Sequence, residues 1–351
     1  TAPVQLTASG VDDEGQTALK IETLNGTYYY QTDAGGFSSL VDTDDNDWIN
    51  YSTAAGADGE YRGIPNAVGP ADGGHLHPGQ TTAETTIVHE GPLKITLRSI
   101  VYAPDSQPLW DVLWYVYPRH ATMVMNGKPD GVNYWFLYEG TPGGAIGNED
   151  TVTRSDGVTT AIETAWEGDL TGEEWVYFAD GNLARSLFLY KHEGDTVIDS
   201  YHPYTDYLQA IPTIKMTVFG FGRELATLDS QYSSAPNWFT LGLNDETDYG
   251  TVKDAIRGIY TGLPNTIDAA EQRLPLSETL PPTTPLVLSM THNRTLTAVF
   301  GEQQYGLITS TDGEGVGAVT VEPKKDSYRF GDSVTLTAVP NSGSNFAGWS
   351  G

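Results

Sequence analysis

The sequence predicts an all-β protein: a large antiparallel β-sandwich with two short helices and a small C-terminal β module. Three observations carry this. Eight separate runs alternate apolar and polar residues with period two. Those runs are dense in Tyr, Trp, Val, Ile and Thr, which suit pleated, half-buried surfaces. Gly, Asn, Asp and Pro punctuate the gaps between them, and helical periodicity is confined to two late stretches.

Taken in chain order, "LKIETLNGTYYYQ" (19–31) alternates and then breaks at a turn. "GGFSSL" and "WINY" flank an acidic stretch, "VDTDDND", that reads as a hairpin turn. "LKITLRSIVYA" (93–103), "WDVLWYVYP" (110–118), "ATMVMNG" (121–127) and "NYWFLYEG" (133–140) are further strands. "WVYFADG" (175–181), "RSLFLYKHEG" (185–194) and "IKMTVFGFG" (214–222) complete the β set. The second half of 189–208 is too irregular for a central strand. Helices are expected at 251–260 and 266–274. Near residue 276 a Pro/Thr-rich linker begins, giving a sandwich domain at 1–275, a linker at 276–284 and a module at 285–351. A sandwich of this kind offers a long sheet face on which ligands lie.

Composition narrows the function. With 46 acidic and 18 basic residues among 351, the formal charge is −28. Such a field repels nucleic acid and anionic membranes and suits saline surroundings. The absence of cysteine excludes disulfides, thiolate metal sites and a cysteine nucleophile. No run reaches the roughly 18 apolar residues of a membrane span. Thr1 fits either a removed leader or a trimmed end. There is no Gly-x-Ser-x-Gly elbow, no phosphate loop and no paired-carboxylate strand of the sandwich-hydrolase type.

The richest stretch is "DGEYRGIPNAVGPADGGHLHPG" (58–79), which holds Tyr61, Arg62, Asn66, His75 and His77 in a Gly/Pro loop. Rigid polar loops on a β scaffold are where sites commonly lie. His75 and His77 fit a metal pair, a catalytic or substrate-binding role, or loop hydrogen bonding. Arg62 suits a carboxylate or sulfate, or an ion pair with an acidic neighbour. In "NYWFLYEGTPGG" alternation puts Trp135, Leu137 and Glu139 on one face. An aromatic ring beside a carboxylate is a sugar-binding pattern; a core Trp with an edge Glu is the plainer alternative. "SYHPYTDYL" adds Tyr201, His202, Tyr204 and Tyr207, either as base and acid or as a stacking rim. Asp42, Asp44 and Asn46 start like a calcium loop. Asp47 stands where that loop needs Gly, however, and the Glu at position twelve is missing.

Two resemblances go further. Tyr328, Gly331, Val334 to Ala338, Pro340, Phe346, Gly348 and Trp349 resemble the opening of the internalin-type β-repeat of bacterial extracellular proteins. Leu296 to Phe300 resemble its closing segment, placed ahead of the opening. This implies secretion or surface display on a bacterium and no chemistry. The "GGFSSLVDTDDNDWI" hairpin, the long strand pair 93–127 and "YWFLYEGTPGG" together resemble the galactose-mutarotase-like β-supersandwich. That group includes mutarotases, polysaccharide lyases and substrate-binding domains of hydrolases. No catalytic motif of one family aligns, so no residue role is carried over.

The favoured reading is a secreted or cell-surface polysaccharide lyase acting on a uronate polymer by β-elimination. Its catalytic candidates are His77, His202, Tyr201 and Arg62. Tyr61, Asn66, His75, Trp135, Glu139 and Tyr204 are the substrate-binding candidates. No cofactor is required, with a structural Ca²⁺ at Asp42, Asp44 and Asn46 as an open alternative. A glycoside hydrolase using Glu139 and an Asp, or a non-catalytic carbohydrate-binding or adhesion protein, also fits. The expected partner is a polysaccharide, with no nucleic acid and no membrane span; the sequence sets no oligomeric state.

Overall fold

A computed structural model of the chain describes residues 3–51, 62–68, 75–76, 78–79, 82–103, 106–205, 214–225, 232–261, 307–325, 327–328 and 332–349. The chain divides into two compact units, Thr1–Gly262 and Leu263–Gly351.

The first unit opens with β1 (Gln5–Asp13), β2 (Gln16–Glu22), β3 (Gly26–Gln31) and β4 (Gly36–Asp42), then the two-residue strands β5 (Ala67–Val68) and β6 (His75–Leu76). β7 (Ala83–Glu90), β8 (Ile95–Tyr102), β9 (Pro108–Val116), β10 (Ala121–Gly127) and β11 (Phe136–Gly140) follow. Next come β12 (Thr151–Arg154), β13 (Thr159–Ala161), β14 (Trp166–Gly168), β15 (Glu174–Ala179) and β16 (Ser186–Lys191). β17 (Asp199–Thr205), β18 (Ile214–Phe221), β19 (Asn237–Asn244) and the helix α1 (Tyr249–Thr261) complete it. The expected helix at 266–274 lies outside the described residues.

These strands form two four-stranded sheets, β1-β2-β3-β4 and β11-β18-β17-β14, and one nine-stranded sheet, β13-β12-β15-β16-β19-β10-β9-β8-β7. Alternation decides what each face carries. From the first small sheet, Phe37 meets Trp114 of β9 edge-on with 4.8 Å between ring centres, and Tyr30 shares a 2.7 Å hydrogen bond with Ser99 of β8. From the second, Phe136 stacks on Phe239 of β19 at 4.6 Å and Tyr138 meets Phe178 of β15 at 5.1 Å. Both small sheets therefore lie on the same face of the large one. The opposite face carries Trp175, Tyr177, Phe188 and Tyr190, onto which α1 packs Val252 and Ile256, one helical turn apart.

The Gly/Pro loop contributes a connection that its composition hides. Phe37 of β4 and Ile64 exchange backbone hydrogen bonds of 2.7 and 3.1 Å. Gly63 and Glu139 of β11 exchange two more, 2.7 and 3.0 Å, and Asn66 N–H donates to Leu137 at 3.2 Å. Residues 63–66 thus act as a short strand between β4 and β11 and stitch the two small sheets into one continuous surface.

The stretch 199–205 corrects the sequence expectation. It is β17, an interior strand between β18 and β14. Its run of Ser, Tyr, His, Pro and Tyr conceals a true alternation. Tyr201 belongs to the core, and His202 stands on the other face.

In the second unit, β20 (Gly317–Glu322) and β21 (Thr335–Pro340) form an antiparallel pair with Val319 opposite Ala338 and Val321 opposite Leu336. Tyr328 is buried, and its hydroxyl donates to the Pro323 carbonyl at 2.9 Å.

Candidate functional site

β11, β18 and β17 are neighbours, and their registers set Glu139, Val218 and His202 in one row. Tyr138, Phe219 and Tyr201, one position away on each strand, point into the core. The row therefore stands on the face turned from the core, with the Glu139 and His202 Cα atoms ~10 Å apart across two strand spacings. One row along lie Leu137, Gly220 and Ser200; the other way lie Met216 and Tyr204. Trp135, Leu137, Met216 and Val218 make a small apolar cluster on this face, with Tyr204 packed against it.

Arg223 follows β18 and folds back over the same face. Gly220 makes this possible: a Cβ there would lie 2.9 Å from the Arg223 Cβ and 2.3 Å from a Leu137 methyl. The guanidinium sits 5.4 Å from the Trp135 ring centre, within cation–π range. Its Nη1 lies 3.1 Å from His202 Nδ1. Burial draws the Arg223 pKa down, and the nearby Glu139 carboxylate pulls it back up. Among the described residues no carboxylate comes within ion-pair distance of Arg223, and its buried Nε has no acceptor.

Glu139 is 5% exposed and accepts a 2.8 Å hydrogen bond from the Asn66 amide. The stitching segment aims that amide, because the Asn66 backbone is itself bonded to β11. Burial first, and the Arg223 charge second, hold the His202 pKa at about 4, so the ring is neutral near pH 7.

The sequence candidates divide as follows. Asn66, Trp135, Glu139, His202 and Tyr204 come together on this face. Arg62 reaches β18 but serves the backbone there. Its Nη2 donates to the Lys215 carbonyl at 2.9 Å and its Nη1 to the Asn50 carbonyl at 3.0 Å. Tyr201 is a core residue, 0% exposed, with its hydroxyl donated to the Ile162 carbonyl. It cannot serve the face that His202 serves, because neighbouring strand positions point opposite ways. His75 lies in β6, paired with Val68. Tyr61 and His77 lie outside the described residues.

Asp42, Asp44 and Asn46 brace a hairpin. Asp42 accepts from the Asp44 and Asn46 backbone N–H groups, from the Asn46 amide and from the Trp48 indole at 2.8–3.1 Å. The cation beside them is Arg185, 3.7 Å from Asp42 and 3.0 Å from Asp44. Among the described residues no three His, Asp or Glu side chains converge as metal ligands.

Arg223 is the site residue that sequence reading missed. The signal was "GFGRE" at 220–224, where glycines alternate at a strand end beside a cation. Glycine inside a strand marks a close approach, and here the approaching group is Arg223 itself.

The architecture is a large antiparallel β-sandwich followed by a β-repeat. Residues 307–351 match the family model "Divergent InlB B-repeat domain", in agreement with the internalin-type resemblance. Among solved structures the chain is similar to HI1317 at 11% identity, over 69% of this chain and 99% of that one, with a TM-score of 0.46. It is also similar to the "putative mutarotase (YeaD) from Salmonella typhimurium" at 8% identity, over 64% and 90%, with a TM-score of 0.42. No curated protein matches the sequence. Among the described residues no helix is long and apolar enough to cross a membrane, which says nothing of a β-barrel.

Proposed function

We propose that this is a carbohydrate-active enzyme, and specifically a polysaccharide lyase that cleaves a uronate-containing polymer at the face of Glu139, His202 and Arg223. One observation carries the reading: in a chain of net charge −28, the half-buried Arg223 guanidinium has no carboxylate within ion-pair distance among the described residues. A substrate carboxylate supplies the missing anion, and a planar guanidinium matches it. Neutralising that carboxylate eases loss of the adjacent C5 proton, because charge builds on it as the proton leaves. Glu139, the carboxylate whose charge acts on Arg223, takes the C5 proton. The C4–O4 bond breaks as the C4=C5 double bond forms, and the proton returns from Glu139 to the departing O4. Tyr204, packed against the buried Trp135 cluster, supplies aromatic surface beside the reacting sugar. The C-terminal repeat and the acidic composition support display outside a bacterial cell.

The test is a panel of uronate-containing and neutral polysaccharides, followed by ultraviolet absorbance of the conjugated double bond and by reducing ends. A lyase raises both on a uronate polymer, and Glu139→Gln lowers the rate by roughly a hundredfold or more. Reducing ends without the chromophore would make the enzyme a hydrolase. Binding without either product would make it a carbohydrate-binding protein.

A further inference from the structure

His202 and Arg223 meet in a way that decides which nitrogen of the imidazole carries its proton. A guanidinium has five N–H donors and no acceptor. Its 3.1 Å contact with His202 Nδ1 is a hydrogen bond only if Nδ1 presents its lone pair. In a neutral ring the hydrogen then sits on Nε2. That atom makes no hydrogen bond among the described residues and is not among the buried polar atoms lacking a partner. Among the described residues the charged groups on the ring's face are Arg223, Glu139 across Val218 on β11, and Glu167 on β14, opposite Ser200; Tyr204 lies two positions on along β17.

We infer that Arg223, besides meeting the substrate carboxylate, locks His202 as its Nε2–H tautomer, making the imidazole a fixed donor and leaving proton removal to Glu139. The one lone pair of that tautomer is occupied by Arg223, so the ring has no basic nitrogen to offer. What it offers is a hydrogen bond to an acceptor oxygen of the ligand. A neutral imidazole in this role polarises an oxygen without passing through a charged form. Burial together with the Arg223 charge keeps His202 neutral down to about pH 4, so the donor persists across the neutral range. Arg223 is held in turn by the Trp135 ring beneath it and by the room Gly220 leaves. The assignment of roles rests on the lyase reading; the state of the ring does not, and the test reads the ring alone.

The experiment is a two-bond ¹H–¹⁵N correlation spectrum of the full chain with ¹⁵N-labelled histidine, recorded across the neutral range without substrate. The expected result is a His202 ring protonated at Nε2 and bare at Nδ1 throughout. Arg223→Met, which keeps an apolar stem but no donor, is expected to mix the tautomers and raise the titration midpoint. Arg223→Lys, again donor-only, restores the Nε2–H form. An Nδ1–H ring in the wild type overturns the inference, as does an Arg223→Met protein with unchanged tautomer and midpoint. If Arg223→Met fails to fold, the wild type and Arg223→Lys decide: Nε2–H in both sustains the lock, and Nδ1–H in either overturns it. A protein with the Nε2–H ring that never produces the double-bond absorbance overturns the lyase reading and leaves the lock standing.

Discussion

At Gly220 the space for a side chain is already taken. A Cβ would press on Leu137 at 2.3 Å and on Arg223 at 2.9 Å. Gly220→Ala is therefore expected to cost ~1–3 kcal/mol, the usual range for overpacking, read as a lower urea midpoint. It also displaces Arg223, so the His202 ring signals shift with it. Arg62 invites a different forecast from the one its composition suggests. Its guanidinium closes two backbone carbonyls, on Asn50 and on Lys215. Arg62→Ala leaves both carbonyls short of a charged donor and is expected to lower stability by ~1–3 kcal/mol in urea unfolding. A variant with an unchanged midpoint and lost turnover would return Arg62 to the chemistry.

The β4 hairpin and strand β17 show what could and could not be read from sequence. Period-two runs located β8 to β11, β15, β16 and β18, because each buries one face and shows it in every second residue. They failed at β17, where both faces carry aromatic or imidazole side chains, so Tyr201 and His202 looked alike. Glu139 was legible from alternation with Trp135 and Leu137. Its pairing with Asn66 was not, because the link runs through 63–66, a segment whose Gly and Pro read as loop. Arg185 was invisible for the same reason: it reaches the Asp42 turn from a point 143 residues along the chain, and nothing local announces it. That reach makes a forecast. Arg185 pairs with Asp42, Asp44 and Asp245, and its side chain is 13% exposed. Arg185→Ala is expected to lower stability by ~1–3 kcal/mol, since it strips the buried Asp42 of its cation. Chelator should leave the wild-type Tm where it is, because that position is filled by the protein's own cation; a Tm that drops with chelator and recovers with Ca²⁺ would refute this.

Charge sets the behaviour of the whole molecule. Glu174 is buried beside Lys191 and Asp195, and burial raises its pKa from 4.5 to about 7. The sign follows from linkage: stability from this group is complete below its unfolded pKa and is lost as pH rises through about 7. His120 and His192 slope the other way across the same window. Burial lowers them to about 4 and about 3, so their contribution is lost as pH falls below the usual histidine range. The clean readout is therefore a difference: Tm of Glu174→Gln minus Tm of wild type is expected to rise from pH ~5 to pH ~8. A flat difference would mean that Glu174 is ionised in the core throughout. With a net charge of −28, added NaCl should also raise the wild-type Tm by screening self-repulsion. The stitch at 63–66 has a further consequence, for synthesis. A ribosome releases β4 and the stitching segment well before β11. Until residue 140 emerges, the backbone groups of Gly63 and Asn66 that will pair with Glu139 and Leu137 have only water. At ~5–20 residues per second that interval lasts roughly 4–15 s. Throughout it the nascent chain presents an open sheet edge able to pair with a second chain on a neighbouring ribosome, so crowded translation is a condition under which edge-to-edge misassembly is expected.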